Sequence, residues 1–341
     1  MSEGVVYNRA NKKGCTMGGE KKRLEWLDVY KGFLILLVIW AHVVQKGSAD
    51  FFGTVTYKTI YSFHMAAFFF ISGWLLSSGR HGLDVLPRKV MHLLVPYFAW
   101  FVVRWISLGS LSWIDALRYS LAVKGEGLWF LRTMGGCILA TVLCDVISPK
   151  RFRVLFMVAV AAVLTALALV CSDEFIDVRH FAKYYQYFIG GFLLPTFLPF
   201  LSSRSETVKN WLFAGVLSAF VIGLVAVSVL NFGNKELHIV RIPLQWLGCV
   251  SLFAAFQRMS VCASAIRHIW RLMMLLGRES LGLYAVHMYL NAISGDLLKG
   301  MPMIAGFIIL VPASLLVVLG ISKIPFAGYI FLGKSKKRVS G

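Results

Sequence analysis

Apolar runs of about 20 residues, the length a helix needs to cross a bilayer, recur from one end of this chain to the other. In hydrocarbon such a segment must bond every backbone group internally, so the chain is expected to be an all-α, polytopic membrane bundle. Composition agrees: of 341 residues, 58% are hydrophobic and 15% charged, far from the balance of a soluble domain. The runs lie near 26–45, 57–78, 90–108, 128–147, 153–171, 181–201, 210–230, 238–256, 272–293 and 302–321, which makes about ten transmembrane helices. Connections are short and no internal repeat is visible. The expected organisation is a basic tail over 1–23, one membrane domain over 24–323 and a short basic tail over 324–341. The first 23 residues lack the apolar core of a cleaved leader, so they are read as a cytoplasmic segment ahead of an uncleaved first span.

The formal net charge is +19. Its distribution argues for orientation in a membrane and against nucleic acid, for which no binding motif is present. With the N-terminus inside, the cytoplasmic loops receive Lys21, Lys22 and Arg23, then Arg80, Arg88 and Lys89, then Lys150, Arg151 and Arg153. Arg204 and Lys209 follow, then Arg258, Arg267 and Arg271, and last the basic stretch 334–338. The opposite loops, such as 173–180, carry sparser or balanced charge. Both termini are therefore expected on the cytoplasmic side. The six cysteines are scattered, with no CxxC and no metal-like Cys/His cluster, so neither a disulfide framework nor a metal is expected.

Against this apolar background the first run carries three ionisable groups, Asp28, Lys31 and His42. At about 100° per residue an offset of eleven returns to within roughly 20°, so Lys31 and His42 share a helix face, about 16 Å apart along the axis. Asp28 lies close to the same stripe. A charge facing lipid costs at least about 2.5 kcal/mol, so this edge belongs inside the bundle, along a cavity. Under the same orientation His64, His287 and Arg132 fall in the outer half of the membrane with His42. Each has a bland reading too. Lys31 can snorkel to the inner interface, a buried histidine can be a satisfied hydrogen-bonding group, and Arg278 and Glu279 can be an interhelical pair.

An imidazole in a partly dry cavity suits proton transfer. Three readings follow from the residues: a transferase whose histidine deprotonates an acceptor hydroxyl, a transporter of a small solute or acyl group, and a non-catalytic membrane sensor. A transporter would be expected to carry inverted repeats, and none is visible.

Five blocks bear on the choice: 23-RLEWLDVYKGFLILLVIWAHV-43, 63-FHMAAFFFISGWLL-76, 86-LPRKVMHLLVPYFAW-100, 127-GLWFLRTM-134 and 277-GRESLGLYAVHMYL-290. In order and spacing they resemble the membrane acyltransferase-3 family, which includes O-acetyltransferases of bacterial surface and exopolysaccharide sugars. The resemblance implies about ten membrane helices in a bacterial-type inner membrane. It also implies transfer of an acyl group, acetyl in the usual case, from acyl-CoA as donor substrate to a glycan or lipid-linked sugar, with no permanently bound cofactor. The family's basic residue, ten intervening residues and histidine fall on Lys31 and His42, with lysine where arginine is usual. A lysine keeps the charge but loses the bidentate grip on phosphate. In the block before the third span a basic pair two residues apart is common; here Arg88 is present and Met91 takes the partner place, with Lys89 and His92 alongside.

Carried onto this chain, the resemblance gives His42 as general base, with a transient acyl-histidine as an open alternative. Asp28, Lys31, Arg88 and Lys89 line the donor path. Glu279 orients or stabilises a partner within the catalytic cavity. His64, Trp129, Arg132 and His287 shape the acceptor site, and Trp129 and Tyr185 suit sugar faces and, equally, interface packing. Many relatives carry an additional soluble esterase-like domain; without one here, acceptor delivery is expected to rest with the bundle or with another protein.

Overall fold

The computed structural model describes residues 24–79, 82–108, 112–115, 128–170, 178–230, 232, 234–262, 265–293 and 301–334. The expected basic tail 1–23, Arg80, most of the 173–180 loop and the terminal residues 335–341 lie outside the described residues. Among the described residues the structure is helical, with no strand.

In chain order the helices are α1 (Glu25–Gly47), α2 (Val55–Ile60), α3 (His64–Ser77), α4 (Leu86–Leu108), α5 (Trp129–Ile147), α6 (Arg153–Val170) and α7 (Val178–Ser202). They continue as α8 (Glu206–Val229), α9 (Asn234–Met259), α10 (Arg267–Arg278), α11 (Ser280–Ile293), α12 (Met303–Lys323) and α13 (Pro325–Leu332). Among the described residues seven stretches are long and apolar enough to cross a membrane: α1, α2–α3 together, α5, α6, α8, most of α9, and α12. α4 and α7 match them in length. They carry more polar residues, including Arg88, Lys89 and His92 on α4 and Arg179, His180 and Lys183 on α7.

Two expected spans arrive in two pieces. The second breaks at Tyr61–Phe63, which leaves His64 as the first residue of α3. The ninth divides at Glu279, between α10 and α11, with Gly277 and Ser280 flanking the bend; small residues of this kind are a recognised cause of kinks. Beyond Lys323, where a tail is expected, α13 folds back against α4 and α12.

α1 lies at the centre and packs against α3, α9, α10, α11 and α12. Two crossings bring backbones together. A Cβ at Gly277 would stand 1.6 Å from the Asp28 carbonyl oxygen and one at Gly32 would stand 2.0 Å from that of Met273, so glycine on both sides lets α1 and α10 touch. Gly73 and Gly191 do the same for α3 and α7, where added Cβ atoms would lie 1.9 Å from the Phe188 oxygen and 1.8 Å from the Phe70 oxygen. Small residues at helix contacts are how membrane helices gain packing without a hydrophobic driving force between them. α6 and α8, by contrast, expose most of their apolar side chains, among them Leu155, Leu169, Trp211, Ile222 and Val229. Apolar surface on that scale is stable against lipid.

Candidate active site

Along α1 the side chains of Lys31, Ile35, Val38 and His42 succeed one another at helical spacing. The first three line a cavity of about 200 Å³ that is walled mainly by Met65, Phe68, Phe130, Leu281 and Tyr284. On the facing helix α11, Ser280, Leu281 and Tyr284 line the same cavity. One turn beyond Tyr284 comes His287, whose ring centroid lies 6.0 Å from that of Tyr284 and 5.3 Å from that of His42. The cavity thus begins at Lys31 and ends at Val38 and Tyr284, and the pair of imidazoles, which does not line it, follows one helical turn beyond. A turn further on, Asn291 Nδ2 donates to the His42 carbonyl (3.3 Å), and the Lys46 ammonium donates to the Asn291 carbonyl. These bonds fix the register of the two helices beside the histidine pair.

The hydrogen bonds of the imidazoles set which nitrogen is available. His42 Nδ1–H donates to Gln45 Oε1 (3.0 Å), His64 Nδ1–H to the Ile60 carbonyl (2.6 Å) and His287 Nδ1–H to the Leu283 carbonyl (2.7 Å). In each neutral ring Nε2 is then the proton acceptor. His287 is fully buried and its Nε2 has no hydrogen-bond partner among the described residues. His42 is half-buried, and His64, buried, lies within electrostatic reach of it. The structure therefore gathers the three predicted histidines at one end of the bundle.

At the other end Asp28, 2% exposed, holds Lys31 Nζ at 2.8 Å and Arg278 Nε at 3.5 Å. Glu279 takes Lys334 Nζ at 2.7 Å, and that ammonium also donates to Ser322 Oγ (2.6 Å). Arg278 and Glu279 therefore do not pair with each other across an interface; each serves a different helix. Glu279 is also remote from the histidines. It precedes His287 by eight residues, about 12 Å along a helix, while its neighbour Ser280 lines the cavity together with Lys31. Arg88 on α4 is exposed and Lys89 half-buried.

Trp129, at the start of α5, stacks on His180 (4.5 Å) and Tyr184 (5.3 Å), and Tyr184 stacks on Phe69 (4.8 Å). Arg132, one turn along α5, lies within electrostatic reach of the Tyr284 hydroxyl. Of the two readings of Tyr185, the structure favours packing. That side chain is fully buried, with its hydroxyl 3.7 Å from Cys144 Sγ, and so is a packing residue. Its neighbour Tyr184 presents the stacked ring. Sequence reasoning also missed His180, Lys183, Tyr284 and Arg241. The one available signal was the spacing of His180, Lys183, Tyr184 and Tyr187, which places all four on one side of α7.

The arrangement can therefore hold an anionic group near Lys31, take a chain into the cavity and offer a proton acceptor one helical turn beyond its far end. Residues 24–323 match the family model described as the acyltransferase domain of the acyltransferase-3 family. The chain is 27% identical over 227 residues to "Nodulation protein NolL" of Mesorhizobium japonicum, covering 62% of this chain and 58% of that protein. It is 30% identical over 95 residues to the protein of the same name from Sinorhizobium fredii, covering 26% of each. The chain thus spans less than two thirds of the length of either relative. No solved structure matches it.

Proposed function

The chain belongs to the acyltransferase-3 family, and from that premise we propose that it is a multi-pass membrane O-acyltransferase. It moves an acyl group, acetyl first among the candidates, from acyl-CoA on the cytoplasmic side to a hydroxyl of a surface glycan or lipid-linked sugar. In this reading α4, α7 and the bent pair α10–α11 cross the bilayer as well as the seven most apolar stretches. That makes ten crossings, with both termini cytoplasmic, in a bacterial inner membrane. The alternation of basic loops supports this orientation.

The observation that carries the reading is the α1 stripe, in which a cation, a cavity and a base follow one another on one face. Lys31, with Arg88 and Lys89 nearby on the cytoplasmic side, receives the phosphates of the donor. Asp28 holds Lys31 in place. The acyl-bearing arm lies in the cavity with its thioester toward His42. His42 Nε2 takes the proton from the acceptor hydroxyl as that oxygen attacks the thioester carbonyl; the C–S bond then breaks and the CoA thiolate leaves and is protonated. Such a base contributes about 10²- to 10⁴-fold. The "nodulation" in the relatives' names fits an acceptor displayed to the outside of the cell.

The test is His42→Ala in cells whose surface glycans are analysed by mass spectrometry. Loss of glycan acylation at unchanged protein abundance is expected. Unaltered acylation would refute the assignment and favour the transporter reading, and acyl transfer by detergent-purified protein separates the enzyme from a sensor.

A further inference from the structure

A second group of charges lies near the histidines, and the transfer chemistry leaves it without a role. Arg241 on α9 is 4% exposed. Its guanidinium is spread over three neutral oxygens: Nε donates to Ser62 Oγ (3.3 Å), Nη1 to the Tyr57 hydroxyl (3.2 Å) and Nη2 to the Tyr57 carbonyl (3.1 Å). The Tyr57 ring completes the setting, its centroid 4.4 Å from the guanidinium carbon. Among the described residues no carboxylate pairs with Arg241. Lys183 on α7 is half-buried, with its ammonium 5.2 Å from the centre of the Tyr184 ring, and it too has no carboxylate partner among the described residues. Lys183, Arg241 and His64 lie within electrostatic reach of one another.

Like charges drawn out of water toward each other are unfavourable, and neutral oxygens offset only part of the cost. As a staple from α9 to α2 and to the break before α3, Arg241 is accounted for. The staple leaves Lys183 unexplained, along with the rings around the pair. Trp129, His180, Tyr57 and Tyr61 are all half-buried. Trp129 and His180 stack with Tyr184, and Tyr61 bridges Tyr57 (4.9 Å) and His64 (5.0 Å). Flat aromatic faces match the C–H face of a sugar ring, and two unneutralised cations beside them match an anionic substituent. His64 links the group to His42.

We infer that this cluster is the acceptor subsite and that the acceptor is an acidic saccharide, whose phosphate or carboxylate is held by Arg241 and Lys183 while its ring lies against the Trp129–His180–Tyr184 stack. The inference rests on the acyltransferase reading for the word acceptor; the binding site itself does not.

The experiment is thermal unfolding of the full chain in detergent with glucose 1-phosphate, glucuronic acid, neutral glucose or glycerol phosphate, for wild type, Lys183→Gln, Arg241→Gln and His42→Ala. Wild type and His42→Ala are expected to be stabilised in a saturable way by at least one acidic sugar and not by glucose. Lys183→Gln should weaken the apparent affinity about tenfold or more, and Lys183→Arg should restore it. Preference for glucose 1-phosphate indicates a sugar phosphate, as in a lipid-linked precursor, and preference for glucuronic acid a uronate; either result supports the site. Equal response to glucose, equal response to glycerol phosphate (which would indicate a lipid headgroup), no response, or unaltered affinity in Lys183→Gln would overturn it. Because Arg241→Gln removes an interhelical staple, Lys183→Gln decides the matter if Arg241→Gln does not fold. Stabilisation that survives in His42→Ala while that variant still acylates would sink the catalytic assignment and spare the subsite.

Discussion

The rings of His42 and His287 face each other at 5.3 Å, tilted by 42°, one from α1 and one from α11. Both hold their Nδ1 protons against acceptors of their own helices, and the buried Nε2 of His287 has no partner among the described residues. If His42 is the general base proposed above, an acceptor beside it is positioned to stabilise the imidazolium as it forms. His287→Phe, which conserves volume, should lower kcat roughly tenfold, about 1.4 kcal/mol of barrier. KM for both substrates should be unaltered and the melting temperature near that of wild type. A rise in KM at constant kcat would assign His287 to binding.

Lys31 stands at the head of the cavity, 2.8 Å from Asp28. If it receives donor phosphate, Lys31→Met should raise KM for acyl-CoA about tenfold or more, on the scale of one charge-assisted hydrogen bond lost, about 1.5–3 kcal/mol. Lys31→Arg should retain most donor affinity because the charge is kept. Steady-state kinetics with acyl-CoA varied at fixed acceptor separates these outcomes. Equal KM values in all three proteins would remove Lys31 from the donor path.

Gly277 and Gly191 sit where an added Cβ would enter the carbonyls of Asp28 and Phe70, whereas Gly215 and Gly320 have nothing within 4 Å of that position. Gly277→Ala and Gly191→Ala should each destabilise the bundle, by about 1–3 kcal/mol or more, the usual cost of overpacking. Gly277→Ala should also reduce activity, because Asp28 and Lys31 ride on the displaced helix. Gly215→Ala and Gly320→Ala should be neutral or stabilising by up to about 1 kcal/mol, the helix-propensity gain of alanine. Melting curves of the four variants in one detergent check the contrast.

The parts of this structure that are legible in the sequence follow from local periodicity. The single face of Lys31, Ile35, Val38 and His42 is a consequence of 3.6 residues per turn, and the cavity beside three of them is where a polar stripe in a membrane helix has to go. The separation of Glu279 from His287 is legible by the same arithmetic, and it moves Glu279 away from the histidine proposed as the base. Other features depend on packing between distant segments. Whether Tyr184 or Tyr185 offers its ring depends on the rotation of α7, set by the Gly73–Gly191 crossing. Arg241 stands in a run that reads as an ordinary span entrance, and its contacts with Tyr57 and Ser62 join residues about 180 positions apart in the chain. The break before His64 likewise interrupts a run that carries no proline, whereas the one at Glu279 coincides with the polar stretch from Gly277 to Ser280.

The Lys334–Glu279 pair ties the segment after α13 to the bend between α10 and α11. Both side chains are largely shielded, at 22% and 13% exposed, so the pair is worth more than a surface contact and its partners are costly to leave alone. Glu279→Gln and Lys334→Met should each destabilise the protein, and in a double-mutant cycle the two should couple by about 0.5–3 kcal/mol. Since the bend carries Ser280 and Leu281 into the wall of the cavity, the single variants should also raise KM for the donor while leaving the acceptor KM alone. Lys334 bonds Ser322 as well, so Ser322→Ala serves as the control and should recover little of the Glu279 coupling. Additive losses from Glu279→Gln and Lys334→Met, with no effect on donor KM, would reduce this contact to a fastening of the chain end with no influence on the site.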